Sequence, residues 1–296
     1  MIPTDDTIFF EDSTFFKNHS LFDLPTSETI KAMQDAALFH SYSRQLFVFP
    51  ELCLAVKQVR VTNRHRASAA EGQTLWALRT LLPEVRVPEV YGWKRDGDHL
   101  FIFMELIRGE TLQDSLNDLT EDEKQDICRE IGFMVGALRR LKRPSDEAFV
   151  GAIGGQPTMD PIFFGRFSEP FLDADAFYES FTRIPVSERE QAHADGRPRL
   201  PYDSPLVFTH NDLNPSNILI APRGSKGSRH VVSIIDWEQS GWMPSFWESC
   251  KLKFWLMLGG HRYKDLIDRL PDLVGEEPED VFMAFVTYVQ SWGGLG

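Results

Sequence analysis

One segment, residues 206–239, contains two carboxylates and one carboxamide that could act together. Its sequence is LVFTHNDLNPSNILIAPRGSKGSRHVVSIIDWEQ. The three residues are Asp212, Asn217 and Asp236. Carboxylate and amide oxygens are ligands that Mg²⁺ prefers, and an aspartate that holds no metal can accept a proton from a reacting group. If the fold brings the three side chains together, the segment predicts a magnesium site with an adjacent base.

Two short apolar runs around a turn are the elements that must position these side chains. Residues 218–221 and 231–235 are apolar and partly β-branched, and the Gly- and Ser-containing linker PRGSKGSR separates them. Such runs predict a strand pair. In an antiparallel pair the start of the first strand lies beside the end of the second, which places Asn217 next to Asp236. Asp212 precedes Asn217 on a Pro-containing loop.

A lysine and a glutamate early in the chain form a second candidate pair. Lys57 lies in the second strand of a hairpin predicted at residues 45–49 and 52–59, on a face with apolar neighbours. Glu71 falls on the apolar face of a helix predicted at 67–82. Pairing would solve the burial problem of both charges. The alternatives are that Lys57 reaches solvent and that Glu71 is a first-turn acid that complements the helix dipole.

The rest of the chain is β-rich early and helix-rich late. An extended segment at 87–93 and an apolar strand at 100–104 complete the early β pattern. Later helices are predicted at residues 120–141 (with the capping box TEDE), 174–182, 245–258, 263–270 and 280–292.

This pattern predicts an α+β fold of two lobes joined near residues 106–109. The β-rich lobe is expected at 37–106 and the helical lobe at 107–296. Residues 1–36 form an N-terminal extension, which either packs on the body through its Phe residues or forms a partly mobile tail.

The composition excludes several function classes. The 296 residues are 42% hydrophobic and can bury a large core, and 31 Lys plus Arg against 44 Asp plus Glu give a net charge of −13. That charge disfavours nonspecific binding to nucleic acid or to an anionic membrane, and no protein partner is evident. The 3 cysteines are far apart, which favours a reducing compartment, and no apolar run reaches the about 20 residues that span a bilayer. The expected location is cytoplasmic.

The order of the polar motifs resembles that of a known enzyme family. The segment from His210 to Asn217 matches the kinase-like spacing H-x-D-L-x-x-x-N, AVK at Lys57 resembles the lysine strand, and IIDWE at Asp236 resembles the metal-binding motif. The chain is similar to the aminoglycoside phosphotransferase-like family. MELIRGETL, FTHNDLNPSNIL and IIDWEQSGWMPSFWE are similar to the fungal branch of that family. The resemblance covers residues 45–254.

The resemblance implies a two-lobed protein-kinase-like fold, with a small β-rich N-lobe that binds nucleotide and a larger helical C-lobe. It implies an ATP-dependent enzyme that moves the γ-phosphoryl group to a hydroxyl of a small molecule, with ATP and Mg²⁺ as cofactors. The implied roles are a hydroxyl-orienting base (Asp212), a Mg²⁺ site (Asn217 and Asp236), a phosphate-binding lysine held by a helix acid (Lys57 and Glu71) and backbone contacts to adenine (the Glu105 carbonyl and the Ile107 amide).

Three departures from the protein-kinase pattern bear on this function. No glycine occurs in residues 40–51, so the Ser41 or Ser43 hydroxyl would have to cover the phosphates. Asn211 replaces the arginine that pairs with a phosphorylated activation loop, and the next predicted helix begins at residue 245, which leaves little room for a peptide substrate. A small-molecule acceptor is favoured over a protein. The missing glycines leave open a catalytically silent nucleotide-binding or interaction protein on the same fold.

Acidic and aromatic residues after the IIDWE motif are candidates for the acceptor side. Glu238, Trp242 and Glu248, together with Trp247, could bind a cation or a sugar-like or amine-bearing acceptor. The alternatives are that both Trp residues belong to the core and that Glu248 caps or braces a helix. His210 is expected to brace its loop through hydrogen bonds rather than to react.

Overall fold

The computed structural model describes residues 2–33, 36–40, 44–60, 68–143, 149–163, 167, 169–183, 199–224, 227–275 and 277–292. Within these ranges a sheet comes first and helices follow, so the predicted α+β pattern is confirmed. None of the described helices is long and apolar enough to cross a membrane.

The first part of the chain builds a six-stranded antiparallel sheet. Its strands are β1 (Thr7–Phe9), β2 (Phe39–His40), β3 (Arg44–Phe49), β4 (Leu54–Arg60), β5 (Val90–Asp96) and β6 (His99–Glu105). They lie in the order β1-β5-β6-β4-β3-β2. Strand β4 lies inside the sheet and is buried from Leu54 to Val59, because its sequence LAVKQVR carries apolar side chains on both faces. The predicted hairpin forms from β3 and β4, but the second strand begins at Leu54 rather than Leu52, because Leu52 belongs to the 3₁₀ turn at Pro50–Leu52.

The N-terminal residues add an edge to this sheet. Strand β1 pairs with β5, and the Phe15 ring lies 5.2 Å from the ring of Tyr91. Phe15 is 3% exposed, so this part of the chain packs on the sheet through phenylalanine, as one of the two alternatives predicts. The short helix α1 (Ser27–Ala32) follows, with Thr26 as its N-cap. A short strand at the edge leaves few unpaired backbone groups for another chain to bind.

Helix α2 (Ala70–Leu81) packs on one face of the sheet and buries Leu75 and Leu78. A Cβ on Gly72 would lie 2.7 Å from the Trp93 ring, so glycine lets the helix approach β5 closely. The helix ends before Pro83, as predicted, and begins three residues later than residue 67. Residues 61–67 lie outside the described ranges.

The second part of the chain is mainly helical. Its helices are α3 (Leu112–Ser115), α4 (Glu121–Leu138), α5 (Ala174–Phe181), α6 (Trp247–Leu258), α7 (Lys264–Ile267), α8 (Leu270–Leu273) and α9 (Glu279–Ser291). The capping box of α4 forms as predicted: the Glu123 amide donates to Thr120 Oγ1 at 3.2 Å, and the Thr120 amide donates to Glu123 Oε2 at 2.9 Å.

One helix prediction in this part is wrong. The segment 263–270 is not a single helix but contains α7, after which α8 starts a new helix that runs to Leu273. Pro271 is the second residue of α8, and proline favours the first turn of a helix because it has no amide hydrogen to donate. The apolar spacing of the segment gives no sign of this break.

Two small sheets lie between the helices. Strands β7 (Glu110–Thr111), β9 (Ile218–Ile220) and β10 (Val231–Ile234) form one, with β9 in the centre. Strands β8 (Leu206–Thr209) and β11 (Gly241–Pro244) form the other. One apolar core connects them to the first sheet and includes Ile102, Ile131 and Trp237. This shared core fixes the polar ends of β9 and β10 against α2.

Candidate active site

The hairpin of β9 and β10 brings the predicted polar residues together. Ile218 pairs with Ile234 in antiparallel register, and the Ile235 amide donates to the Asn217 carbonyl at 2.9 Å. Asn217 therefore lies at the start of one strand beside the end of the other. Asp236 is the second residue after that end, and the antiparallel register is as predicted.

Asp212 is held by two side-chain amides of its own loop. Asn217 Nδ2 donates to Asp212 Oδ2 at 3.1 Å and to the Asp212 carbonyl at 2.9 Å, and Asn214 Nδ2 donates to Asp212 Oδ1 at 3.0 Å. Burial raises the pKa of Asp212 above its ordinary value of 3.8. The loop thus presents an oriented carboxylate that is a stronger base than a free aspartate.

His210 braces this loop as a neutral ring. Its Nδ1 accepts the Asp212 amide hydrogen at 3.1 Å, so Nε2 carries the ring proton and donates to the Ile235 carbonyl at 3.0 Å. Burial lowers the pKa of His210, which keeps the ring neutral near pH 7. The ring also packs edge-on against Trp237, with centroids 4.5 Å apart. His210 therefore connects the loop to the strand end that precedes Asp236.

Glu248 lies beneath the same loop rather than beside an acceptor. It is 1% exposed; its Oε2 accepts the His210 amide at 2.6 Å and its Oε1 accepts the Asn211 amide at 3.1 Å. Asn211 has a φ of 66°, in the left-handed region that costs a non-glycine residue energy. The Glu248 carboxylate helps to hold this conformation. This position does not favour Glu248 as an acceptor ligand; the carboxylate braces the loop, whereas the alternative has it capping or bracing a helix.

Lys57 is surrounded by three carboxylates. Its Nζ lies 2.9 Å from Glu71, 2.5 Å from Asp236 and 3.1 Å from Glu238. Burial lowers the pKa of Lys57, but the Asp236 and Glu71 carboxylates outweigh burial, so the pKa is raised and the ammonium stays charged. Arg44 pairs with Glu238 from the neighbouring strand. The predicted Lys57–Glu71 pair forms, and Glu238 joins this cluster.

Asp236 leaves its strand with a φ of 64°, again in the left-handed region. Strained backbone of this kind persists where the surrounding structure holds it, as at functional sites. Burial raises the pKa of Asp236, but Lys57 more than offsets this effect, so the pKa is lowered. The side chain is 39% exposed. An ionised carboxylate therefore reaches the open side of the cluster.

The donor set fits a hard divalent cation. Both contacts of the Asn217 side chain use Nδ2, which leaves Oδ1 to bind a metal, and Lys57 contacts only Oδ1 of Asp236. Carboxylate oxygens of Glu71, Asp236 and Glu238 lie within 4.8 Å of one another, but Lys57 Nζ contacts all three, so Asn217 Oδ1 and the second oxygen of Asp236 are the better candidates for a metal. Carboxylate and amide oxygens suit Mg²⁺.

The residues predicted to contact adenine lie where the first sheet ends. Glu105 is the last residue of β6, and its amide donates to the Glu89 carbonyl at 2.8 Å. The Leu106 amide donates to the Cys53 carbonyl at 2.9 Å. Ile107 is the second residue beyond the strand, in the segment that leads to the helical part.

A cavity of about 220 Å³ opens beside Asp212 on the helical side. Its lining residues are Pro161, Asn211, Asp212, Leu213, Asn214, Gln239, Lys251, Leu252 and Trp255. The sequence reasoning missed Lys251 and Trp255. Both lie in α6, whose apolar residues indicate a core helix, and only the fold shows that these two side chains face a cavity.

Residues 50–250 match the model of the phosphotransferase enzyme family (APH), which is more than half of the 296-residue chain. The chain belongs to this family. It is therefore a phosphotransferase-family protein by sequence, as the motif order suggests. No curated protein matches its sequence.

Three solved structures share the fold of this phosphotransferase. The streptomycin–ATP–APH(2")-IIa ternary complex has 12% identity and a TM-score of 0.57, covering 90% of this chain and 88% of that chain. The GDP and kanamycin complex of APH(2")-IIia has 13% identity and a TM-score of 0.52, covering 90% of both chains. ADP-bound APH(2'')-Ib has 12% identity and a TM-score of 0.51, covering 90% of this chain and 97% of that chain. The likeness confirms the two-lobed protein-kinase-like fold.

The four residues predicted for the acceptor side of this phosphotransferase lie away from the cavity beside Asp212. Glu238 contacts Lys57, and Glu248 lies under the loop that carries His210 and Asp212. Trp242 is 3% exposed in β11, and Trp247 is fully buried, so both belong to the core, as the alternative predicts. None of the four lines the cavity beside Asp212.

Proposed function

We propose that this chain is an ATP-dependent phosphotransferase that moves the γ-phosphoryl group of ATP to a hydroxyl of a small molecule. The observation that carries the proposal is the convergence of Asp212, Asn217 and Asp236 at one hairpin end, in contact with the Lys57–Glu71 pair. Phosphoryl transfer depends mostly on positioning and charge neutralisation, and this set supplies both.

Asp212 receives the acceptor in this proposal. Its carboxylate accepts a hydrogen bond from the acceptor hydroxyl and orients it, and takes the proton as the new bond to phosphorus forms. The two amides of Asn214 and Asn217 keep the carboxylate in place. Its raised pKa favours this proton transfer.

Asn217 and Asp236 would hold Mg²⁺, which when bound neutralises charge on the nucleotide phosphates. Lys57 would contact the same phosphates, and Glu71 would keep its ammonium aimed at them. The Glu105 carbonyl and the Ile107 amide would pair with the adenine edge. The ATP, GDP and ADP complexes of the structurally similar phosphotransferases support a nucleotide at this place.

The absence of glycine before the lysine strand supports a second candidate, a catalytically silent nucleotide-binding or interaction protein. The two candidates differ in turnover. A protein kinase is a third reading, which we do not favour because Asn211 replaces the arginine that pairs with a phosphorylated activation loop in protein kinases. It would label a generic protein substrate.

A thermal-shift series with ATP and Mg²⁺, followed by detection of ADP and phosphorylated product, separates these candidates. Nucleotide at about a hundred times its Kd adds ~2.7 kcal/mol to the free energy of unfolding. An absent shift at millimolar ATP would refute both nucleotide-based candidates. A shift without Asp212-dependent turnover would leave only the silent binder.

We also place the chain in the fungal branch of the family, because IIDWEQSGWMPSFWE resembles that branch in wording. The three cysteines are free thiols, which supports the expected cytoplasmic location.

A further inference from the structure

We infer that the acceptor is an uncharged, hydroxyl-rich molecule of about monosaccharide size, bound against Lys251 and Trp255 in the cavity beside Asp212. This inference rests on the proposed phosphotransfer function and names its substrate class. It excludes an acceptor that is recognised through several ammonium groups.

The charges that line the cavity do not favour a polycationic acceptor. Among the described lining residues, Asp212 is the one carboxylate and Lys251 the one cation, and the other polar groups are the amides of Asn211, Asn214 and Gln239. A polycationic acceptor would therefore place its ammonium groups beside Lys251, and the described part of the lining offers them no acid except the reacting one. The two acids that a cation would need, Glu238 and Glu248, lie elsewhere.

Lys251 is built to donate a hydrogen bond into the cavity. Its side chain is 8% exposed, and its Nζ donates to Asp160 Oδ2 and to Gln239 Oε1, both at 2.7 Å. An ammonium has three N–H donors, so one remains after these two contacts, and no further partner occurs among the described residues. An acceptor oxygen in the cavity would satisfy this donor, which is costly to leave buried and unpaired.

The charge on Lys251 is already balanced, which disfavours an anionic acceptor. Asp160 is fully buried; its Oδ2 also accepts Trp247 Nε1 at 3.1 Å, and its Oδ1 accepts the Ile162 amide at 3.0 Å. With Lys251 neutralised by Asp160, the net charge near the acceptor is that of Asp212, which would repel a carboxylate. A neutral hydroxyl is repelled neither by Lys251, as an ammonium would be, nor by Asp212, as a carboxylate would be.

Trp255 supplies an apolar wall. Its ring is half-buried and packs against Tyr263, with centroids 5.0 Å apart, so its position is fixed before a ligand binds. The face of such a ring packs against the C–H groups of a sugar-like ring. The volume of about 220 Å³ is below the ~300–1,000 Å³ of pockets that enclose drug-sized ligands, which fits a small acceptor.

The test is a comparison of three acceptor sets at saturating Mg·ATP, with phosphorylated products measured by mass spectrometry. The sets are neutral monosaccharides and polyols, hydroxy acids, and amine-bearing compounds that include aminoglycosides. We expect Asp212-dependent transfer to members of the neutral set. Greater transfer to the amine-bearing set or to the hydroxy acids, or no transfer to any neutral compound, would overturn the inference.

The ATP- and Mg²⁺-dependent thermal shift and the slow, Asp212-dependent hydrolysis of ATP without acceptor are measured in parallel. If both are absent, the proposed function fails, and the inference fails with it. If both are present and amine-bearing acceptors are preferred, the inference alone fails.

A double variant tests the role of Lys251. Lys251→Met with Asp160→Asn removes both charges together, so that no unpaired ion is left in the core. We expect KM for the neutral acceptor to rise by roughly ten- to a hundredfold, the worth of a hydrogen bond to a charged group, while KM for ATP stays unchanged. Lys253→Met is the matched control, because Lys253 lies in the same helix and pairs with the exposed Glu279. An equal rise in the control, or no rise in the double variant, would contradict the assignment.

Discussion

The two sides of the active site differ in how they handle charge. On the proposed phosphate side, one ammonium is shared by Glu71, Asp236 and Glu238. On the proposed acceptor side, Lys251 is the one cation and Asp212 the one carboxylate among the described lining residues; Asp160 neutralises Lys251, and the other lining groups are amides and apolar side chains. The first side is therefore suited to a metal ion and phosphates, and the second to an uncharged molecule.

This difference shows that the net charge of a protein does not determine the charge preference of its site. The chain carries a net charge of −13, which by itself is compatible with a cationic substrate. The described cavity does not concentrate that negative charge, because the nearby acids have other partners: Glu248 accepts the His210 amide and Glu238 pairs with Arg44 and Lys57. Local arrangement decides what the acceptor side can bind.

Asp212→Asn is expected to have the largest effect. The amide keeps the size of the side chain but cannot take a proton, so transfer should fall by ~10²–10⁴-fold, the usual worth of a general base. Nucleotide binding should be largely intact, because Asp212 belongs to the acceptor side. Product formation and the Kd for Mg·ATP are measured on the same preparation. Transfer at the rate of the unchanged protein would refute the role of Asp212.

Asp236→Ala should affect the phosphate side instead. The variant removes a proposed Mg²⁺ ligand and one of the carboxylates that hold Lys57, so the Mg²⁺-dependent part of ATP binding should be lost. Titration of ATP with and without Mg²⁺ measures this. Asp265→Ala is a control, since Asp265 pairs with Lys124 away from the site. A Mg²⁺ dependence that survives in Asp236→Ala would show that the metal is held by other residues.

Most of the phosphate side can be predicted from the sequence because local patterns position it. The hairpin of β9 and β10 follows from two β-branched runs and a turn, and it alone brings Asn217 to Asp236. Lys57 lies on a strand that is buried on both faces and Glu71 on the buried face of a helix, which makes a charged partner necessary for each. The fold class follows from the same elements.

The acceptor side cannot be predicted in this way because its parts come from distant segments. Asp160, Gln239 and Lys251 meet only after the chain has folded, and no spacing relates them. Glu248 is assigned to the acceptor from its proximity in sequence to Trp242, whereas its side chain points under the loop at His210. The backbone strain at Asn211 is likewise invisible in the sequence.

Glu248→Gln should reduce stability and kcat by a moderate amount. One side-chain oxygen that accepts a backbone hydrogen is replaced by an NH₂ group that cannot, so the free energy of unfolding should fall by about 1–3 kcal/mol. Glu248 holds the backbone just before Asp212, so the substitution should shift Asp212 and lower kcat. KM for the acceptor should change little, because Glu248 does not line the cavity. Denaturant unfolding and steady-state kinetics measure the two effects.

Glu279→Gln is the control for this variant, because Glu279 is 69% exposed and its loss should cost less than about 0.5 kcal/mol. If Glu248→Gln raised the acceptor KM and left kcat unchanged, Glu248 would contribute to acceptor binding. The distinction between the two sides would then have to be redrawn.

Trp242→Phe is expected to have the smallest effect. Trp242 Nε1 is buried and has no hydrogen-bond partner among the described residues, so phenylalanine removes an unsatisfied donor while it loses some apolar contact. These effects oppose each other, and stability should change by about 1 kcal/mol or less. Trp247→Phe is the matched comparison. Trp247 Nε1 donates to Asp160, so phenylalanine at this position removes a hydrogen bond and does not remove an unsatisfied donor. Thermal unfolding should therefore show a larger loss for Trp247→Phe. Neither variant should change KM for ATP, and a rise in acceptor KM specific to Trp242→Phe would show that this ring contributes to acceptor binding after all.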